Sequence, residues 1–141
     1  MTAFRSIAVI GAGAWGTALA MSLRRAGLAT TLWARDTELA DEIARTHRNE
    51  RRLPGVALDP AIVATSDLGA VMDADIVLIA APAQSLRSVA RQLRPLLGDR
   101  QPVIIAAKGL ERGDRVVPRE EHDQRLDAIL TPAGFRQLSK S

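Results

Sequence analysis

The fold turns on residues 6–16, where Ser-Ile-Ala-Val-Ile runs into Gly11-Ala-Gly13-Ala-Trp15-Gly16. A short β-branched run ends on a glycine, and an apolar-striped stretch over residues 14–26 opens at once. The three glycines form a G-x-G-x-x-G, a weak match alone because glycine is common. Its context is what confirms it: a strand before, a helix after, and a second strand expected over residues 30–34. In such a unit Gly11 permits the tight turn and Gly13 lets backbone approach a pyrophosphate. Gly16 lets the helix pack on the strand. The helix N-terminus then offers N–H groups and partial positive charge to phosphates. A tight turn without ligand is the plain alternative; the context favours a dinucleotide. Trp15 is expected against the cofactor, with a core indole as its alternative.

Further along, the pattern predicts a helix over 37–46, a loop over 47–60 and a brief strand over 61–65. A helical turn at 68–72 precedes the uninterrupted apolar run 75–81, which reads as a central parallel strand buried on both faces. Pro82 stops that run. A helix is expected over 85–97, its last turn tightened by Pro95, and a further strand over 103–107. Alternating strands and helices imply an α/β fold with a doubly wound parallel sheet of Rossmann type. Residues 1–113 are read as this dinucleotide-binding domain. Residues 114–141 are read as a polar tail with no strand-like run and one weak helical patch at Leu126, Ile129 and Leu130.

An acid about 20 residues beyond the glycines usually holds the ribose hydroxyls of NAD. Counting nominates Asp36, but it stands just before a helix, where Asp ordinarily caps. Arg35, directly after the strand, can pair with a 2′-phosphate or lie over adenine. The cofactor is therefore read as NADP or NAD, with NADP favoured and dual use open. A solvated arginine is the alternative for Arg35.

The composition excludes other classes. The 141 residues make one domain's worth of chain, 47% hydrophobic and 25% charged. With no cysteine there are no disulfides or thiolate sites. No apolar run reaches a membrane span, and the start has no signal-peptide architecture, so a cytoplasmic location is expected. Net charge is +3, and all but Lys108 and Lys140 of the 19 cations are arginine, scattered among acids. Two Trp and two Phe leave little to stack on bases. Nucleic acid is not an expected partner; a phosphorylated small molecule is. Oligomeric state is not legible.

Other candidates carry less. His47, Arg48, Arg51 and Arg52 form a basic loop, read equally as meeting a cofactor phosphate or as solvated. Glu120-Glu121-His122-Asp123 lacks the context of a metal site, and no metal is expected. Asp73 and Asp75 read as turn residues.

Gly11-Ala-Gly13-Ala-Trp15-Gly16-Thr-Ala-Leu-Ala, Leu32-Trp33-Ala-Arg35-Asp36, Asn49 with Leu53-Pro54-Gly55 and Leu58, Ala81-Pro82-Ala83, and Ala107-Lys108-Gly109-Leu110-Glu111 follow in order. Over about residues 6–113 the chain resembles the N-terminal domain of bacterial NAD(P)-dependent sn-glycerol-3-phosphate dehydrogenases. The glycine loop is shared with many dehydrogenases; the Leu-Pro-Gly and Lys-Gly-Leu-Glu segments are more specific. They argue against a ketopantoate or 6-phosphogluconate-type reductase. The resemblance implies interconversion of glycerol 3-phosphate and dihydroxyacetone phosphate by hydride transfer.

It further implies that Ala14, Trp15 and Arg35 contact the dinucleotide, that Ala81-Pro82 lines the nicotinamide pocket, and that Lys108 touches cofactor and substrate. Ala14 stands where the family commonly has serine. At a strand end Lys108 could hold a phosphate or polarise a carbonyl; a solvated lysine is the alternative. The family's C-terminal helical domain, with its proton-transfer lysine and an Arg-Asn pair, is expected to be absent. No catalytic residue is assigned within the chain, and poor turnover is expected. Residues 114–141 match nothing in this pattern and read as out-of-frame translation. A non-catalytic dinucleotide-binding module or gene fragment is the other reading.

Overall fold

The computed structural model describes residues 4–99, 101–106, 126–131 and 134–137. Strand β1, Ser6–Ile10, feeds helix α1, Ala14–Arg25, through the glycine loop. Helix α1 ends as its sequence predicts. Gly27 adopts φ +100°, its N–H donating to the Arg24 carbonyl at 3.0 Å and that of Leu28 to Leu23 at 3.1 Å. This paired C-terminal closure turns the chain into β2, Ala29–Trp33. Helix α2, Thr37–Thr46, starts on Asp36, whose carboxylate accepts the Glu38 N–H at 2.9 Å. The N-cap expected of Asp36 is there.

After a loop come β3, Val63–Thr65, a 3₁₀ turn at Leu68–Asp73, and β4, Ile76–Ile79. Asp75 fastens β4 to β1, accepting from the Arg5 and Ser6 amides at 2.7 and 3.1 Å. Helix α3, Ala83–Leu93, tightens into a 3₁₀ turn at Arg94–Leu96, where Pro95 was expected to act. Strand β5 is Val103–Ala106.

Strands β1 to β5 are parallel, and the sheet order opens β3-β2-β1-β4-β5. On β1, Ile7 and Val9 face one apolar cluster while Ala8 and Ile10 face another. The first cluster takes in Leu39 and Ile43 of α2 with Leu19 and Leu23 of α1; the second takes in Leu86, Val89 and Leu93 of α3. Helices on both faces explain why β4 reads as a continuous apolar run. The doubly wound parallel sheet is as expected.

The tail departs from its reading. Leu126, Ile129 and Leu130 belong to a strand rather than a helical patch: β6, Leu126–Thr131, lies parallel to β5, and β7, Gly134–Gln137, pairs antiparallel to β6. Their spacing of three and one does suit a helix. A patch so short, ending at Thr131-Pro132, cannot repay helix nucleation, whereas the open edge of β5 offers a full row of backbone partners.

Candidate functional site

The strand order reverses between β1 and β4, and ligand crevices of open α/β sheets form at such a point, beyond the carboxyl ends of the strands. A cleft of about 720 Å³ lies there. The glycine loop forms its floor from Gly11 to Trp15, the segment after β2 supplies Arg35 and Asp36, and the segment after β4 supplies Ala80 to Pro82.

Each glycine has its own reason. Gly11 has φ +122°, and a Cβ there would come within 3.0–3.1 Å of the Ala80–Ala81 backbone. Its N–H donates to the Trp33 carbonyl at 3.0 Å, joining the loop to the end of β2. A Cβ on Gly16 would overlap the Gly11 carbonyl oxygen, so α1 crosses its own loop at backbone contact distance. Gly16 is buried beneath the cleft and acts through packing. Above Gly13, by contrast, nothing lies within 4 Å of a Cβ position. Gly13 is also the N-cap of α1, and no side chain caps that first turn.

These features fit a dinucleotide. An open approach to backbone at an uncapped helix start suits a pyrophosphate. Trp15 and Trp33 border the cleft, and the indole N–H of each is buried without a hydrogen-bond partner among the described residues. Trp15 also packs against the core, as its alternative reading expected.

Of the residues singled out from sequence, the structure brings Gly11, Gly13, Ala14, Trp15, Arg35 and Pro82 to this one cleft. Lys108 lies outside the described residues. Asp36 lines the cleft, but its carboxylate is occupied by the α2 cap and by Arg51 at 3.4 Å. Among the described residues no group of three His, Cys, Asp or Glu could hold a metal, and no helix is long and apolar enough to cross a membrane.

Sequence reasoning left several lining residues unassigned, Leu39, Val89 and Arg52 among them. Leu39 and Val89 read simply as helix stripe, and both are buried, yet they reach the cleft wall. Arg52 was left among undecided loop cations. The loop of residues 47–58 is in fact tightly organised. It leaves α2 through His47 at φ +56°, closes with the Leu58 N–H donating to the His47 carbonyl at 2.9 Å, and puts Arg52 on the cleft. Within it Glu50 accepts from the Gly55 amide at 3.1 Å and from Arg48 at 2.9 Å. That amide first, and then the guanidinium, hold the Glu50 carboxyl below its ordinary value.

Comparison with known proteins agrees with this geometry. The profile of the family described as NAD-dependent glycerol-3-phosphate dehydrogenase N-terminus matches residues 6–130. A glycerol-3-phosphate dehydrogenase (NAD(P)+) of Bradyrhizobium diazoefficiens is 56% identical over 113 residues, covering 80% of this chain and 34% of that protein. One from Rhodopseudomonas palustris strain BisA53 is 50% identical over 139 residues, covering 96% of this chain and 42% of that protein. The crystal structure of glycerol-3-phosphate dehydrogenase from Coxiella burnetii superposes with a TM-score of 0.70 at 32% identity, over 75% of this chain and 33% of that one.

The chain thus spans about a third to two-fifths of the length of these relatives. The family profile and the Rhodopseudomonas alignment run past residue 113, where the resemblance was expected to stop, whereas the Bradyrhizobium alignment spans 113 residues. The fold, the cleft and these matches lead to one conclusion: the chain belongs to the family of NAD-dependent glycerol-3-phosphate dehydrogenase N-terminal domains.

Proposed function

We propose that this chain is the nucleotide-binding part of an NAD(P)-dependent glycerol-3-phosphate dehydrogenase, acting on glycerol 3-phosphate and dihydroxyacetone phosphate in the cytoplasm. The observation that carries the reading is the single cleft at the β1–β4 reversal, which joins the glycine loop, Arg35 and Pro82. The backbone of Gly11, Gly13 and Ala14 receives the pyrophosphate at the start of α1, while Gly16 keeps helix and loop close enough for that approach. Arg35 meets the adenosine end, where a guanidinium pairs with a 2′-phosphate or lies over the base. Trp15 and Pro82 wall the site and keep water from it.

When bound, the nicotinamide ring gives or takes the hydride. Lys108 supplies positive charge toward the substrate's phosphate or carbonyl, a role that rests on the resemblance alone. Hydride transfer to a ketone also needs a proton for the developing alkoxide, and no residue here is assigned to deliver it. The cleft is therefore expected to supply the dinucleotide-binding step.

Calorimetric titration with NADPH and NADH tests this. Both should bind, NADPH more tightly, and Arg35→Ala should lower NADPH affinity about tenfold, the scale of one charge-assisted hydrogen bond. Binding of neither cofactor would sink the reading.

A further inference from the structure

Only three polar side chains among the described residues are fully or almost fully buried: Thr17, Thr30 and Asn49. Thr30 is satisfied locally by the Leu28 carbonyl at 2.9 Å. The other two are bonded to each other, directly behind the glycine loop. The Asn49 amide donates one N–H to the Thr17 hydroxyl and the other to the Ala12 carbonyl, each at 2.9 Å. These bonds span 37 and 32 residues of sequence, so the loop after α2 is latched to the phosphate loop by one side chain.

The same residue sets the course of the chain that follows. Its side-chain oxygen accepts from the Arg52 N–H at 3.3 Å, and its carbonyl accepts from Leu53 at 2.7 Å. The resulting turn sorts two neighbouring arginines. Arg51 points back to α2 and pairs with Asp36 and Glu42, both at 3.4 Å. Arg52 stands on the cleft with Arg35, and neither has an ion-pair partner among the described residues.

We propose that Asn49 is a positioning residue that sets the cleft's preference for a 2′-phosphorylated dinucleotide, by holding Arg52 where it can share that phosphate with Arg35. This rests on the reading of the cleft as a dinucleotide site. A guanidinium on an untethered loop must be ordered as ligand binds; one on a latched turn is already ordered, and the saving appears as affinity. The gain is confined to the ligand carrying the extra phosphate, because only that ligand meets both cations. Asparagine is specified by its chemistry. Aspartate offers no N–H to the Ala12 carbonyl and would bury a charge against it.

The test uses the 141-residue chain, its Asn49→Ala, Arg52→Ala and Thr17→Val variants, and the Asn49→Ala/Arg52→Ala pair, each titrated with NADPH and NADH. Arg52→Ala is expected to lower the NADPH-to-NADH affinity ratio about tenfold, and Asn49→Ala to lower it comparably. The pair should lower it no further than Arg52→Ala alone, since both act through one guanidinium. Should Asn49→Ala fail to fold, Thr17→Val removes half the latch and must move the ratio the same way.

Equal weakening of both cofactors by Asn49→Ala would mean a purely structural residue and overturn the proposal, as would an unchanged ratio in Arg52→Ala or a wild-type chain without NADPH preference. Those outcomes leave the dinucleotide reading standing. A wild-type chain that binds neither cofactor overturns both.

Discussion

Gly13 and Gly16 sit three residues apart with opposite surroundings, and the contrast separates folding from binding. Around Gly16 the backbone of the same loop occupies the place of a Cβ. Gly16→Ala must push α1 away from β1, and a loss of about 1–3 kcal/mol in urea denaturation is expected, the scale of overpacking a tight contact. Gly13 has ordinary dihedrals (φ −77°, ψ −173°) and open space above it. Gly13→Ala should leave stability within about 0.5 kcal/mol of the parent. It should nevertheless weaken NADPH and NADH alike, about tenfold by titration, because the methyl stands where the ligand comes closest. Equal stability losses in the two variants would contradict this division. The motif was legible in sequence because its demands are local. Which glycine meets ligand and which meets helix follows from chemistry already carried by the spacing.

The elements differ in how far they could be read. Strands β1, β2 and β4 and helices α1 to α3 announce themselves by periodicity and by stops at Gly27 and Pro82, all short-range signals. The loop of residues 47–58 does not. Its order comes from Asn49 reaching Ala12 and Thr17, a contact no local pattern encodes, so Arg52 and Asn49 escaped assignment. Strand β6 escaped for a related reason: it is defined by the edge of β5, not by its own composition. The loop also carries a pH dependence. With the Glu50 carboxyl held below 4.5, its contribution is complete above that value and fades as pH falls through the lowered value. The protection of the Gly55 amide proton, its NMR exchange rate taken relative to the intrinsic rate at each pH, is expected to fall as Glu50 protonates on acidification and to change less in Glu50→Gln. An unchanged protection through that range would remove Glu50 from the account.

At the scale of the whole molecule, ligand and stability are linked, because the cleft draws on the loop after β1, the end of β2 and the start of α3 together. Unfolding disperses all three. A dinucleotide at about one hundred times its dissociation constant should therefore add about 2.7 kcal/mol to unfolding. The melting temperature, read by calorimetry, should rise by several degrees. A melting point insensitive to NADPH at that concentration would show that the cleft is not what the ligand holds. The placing of the two tryptophans has a consequence of another kind. They are the only indoles in a chain that has no tyrosine, and both border the cleft. Nearly all ultraviolet emission of this protein thus originates at the border of the cleft that would hold reduced nicotinamide dinucleotide, whose nicotinamide absorbs in the range where tryptophan emits. The molecule carries its own optical gauge of occupancy, and its fluorescence should dim in proportion to bound cofactor with no label attached.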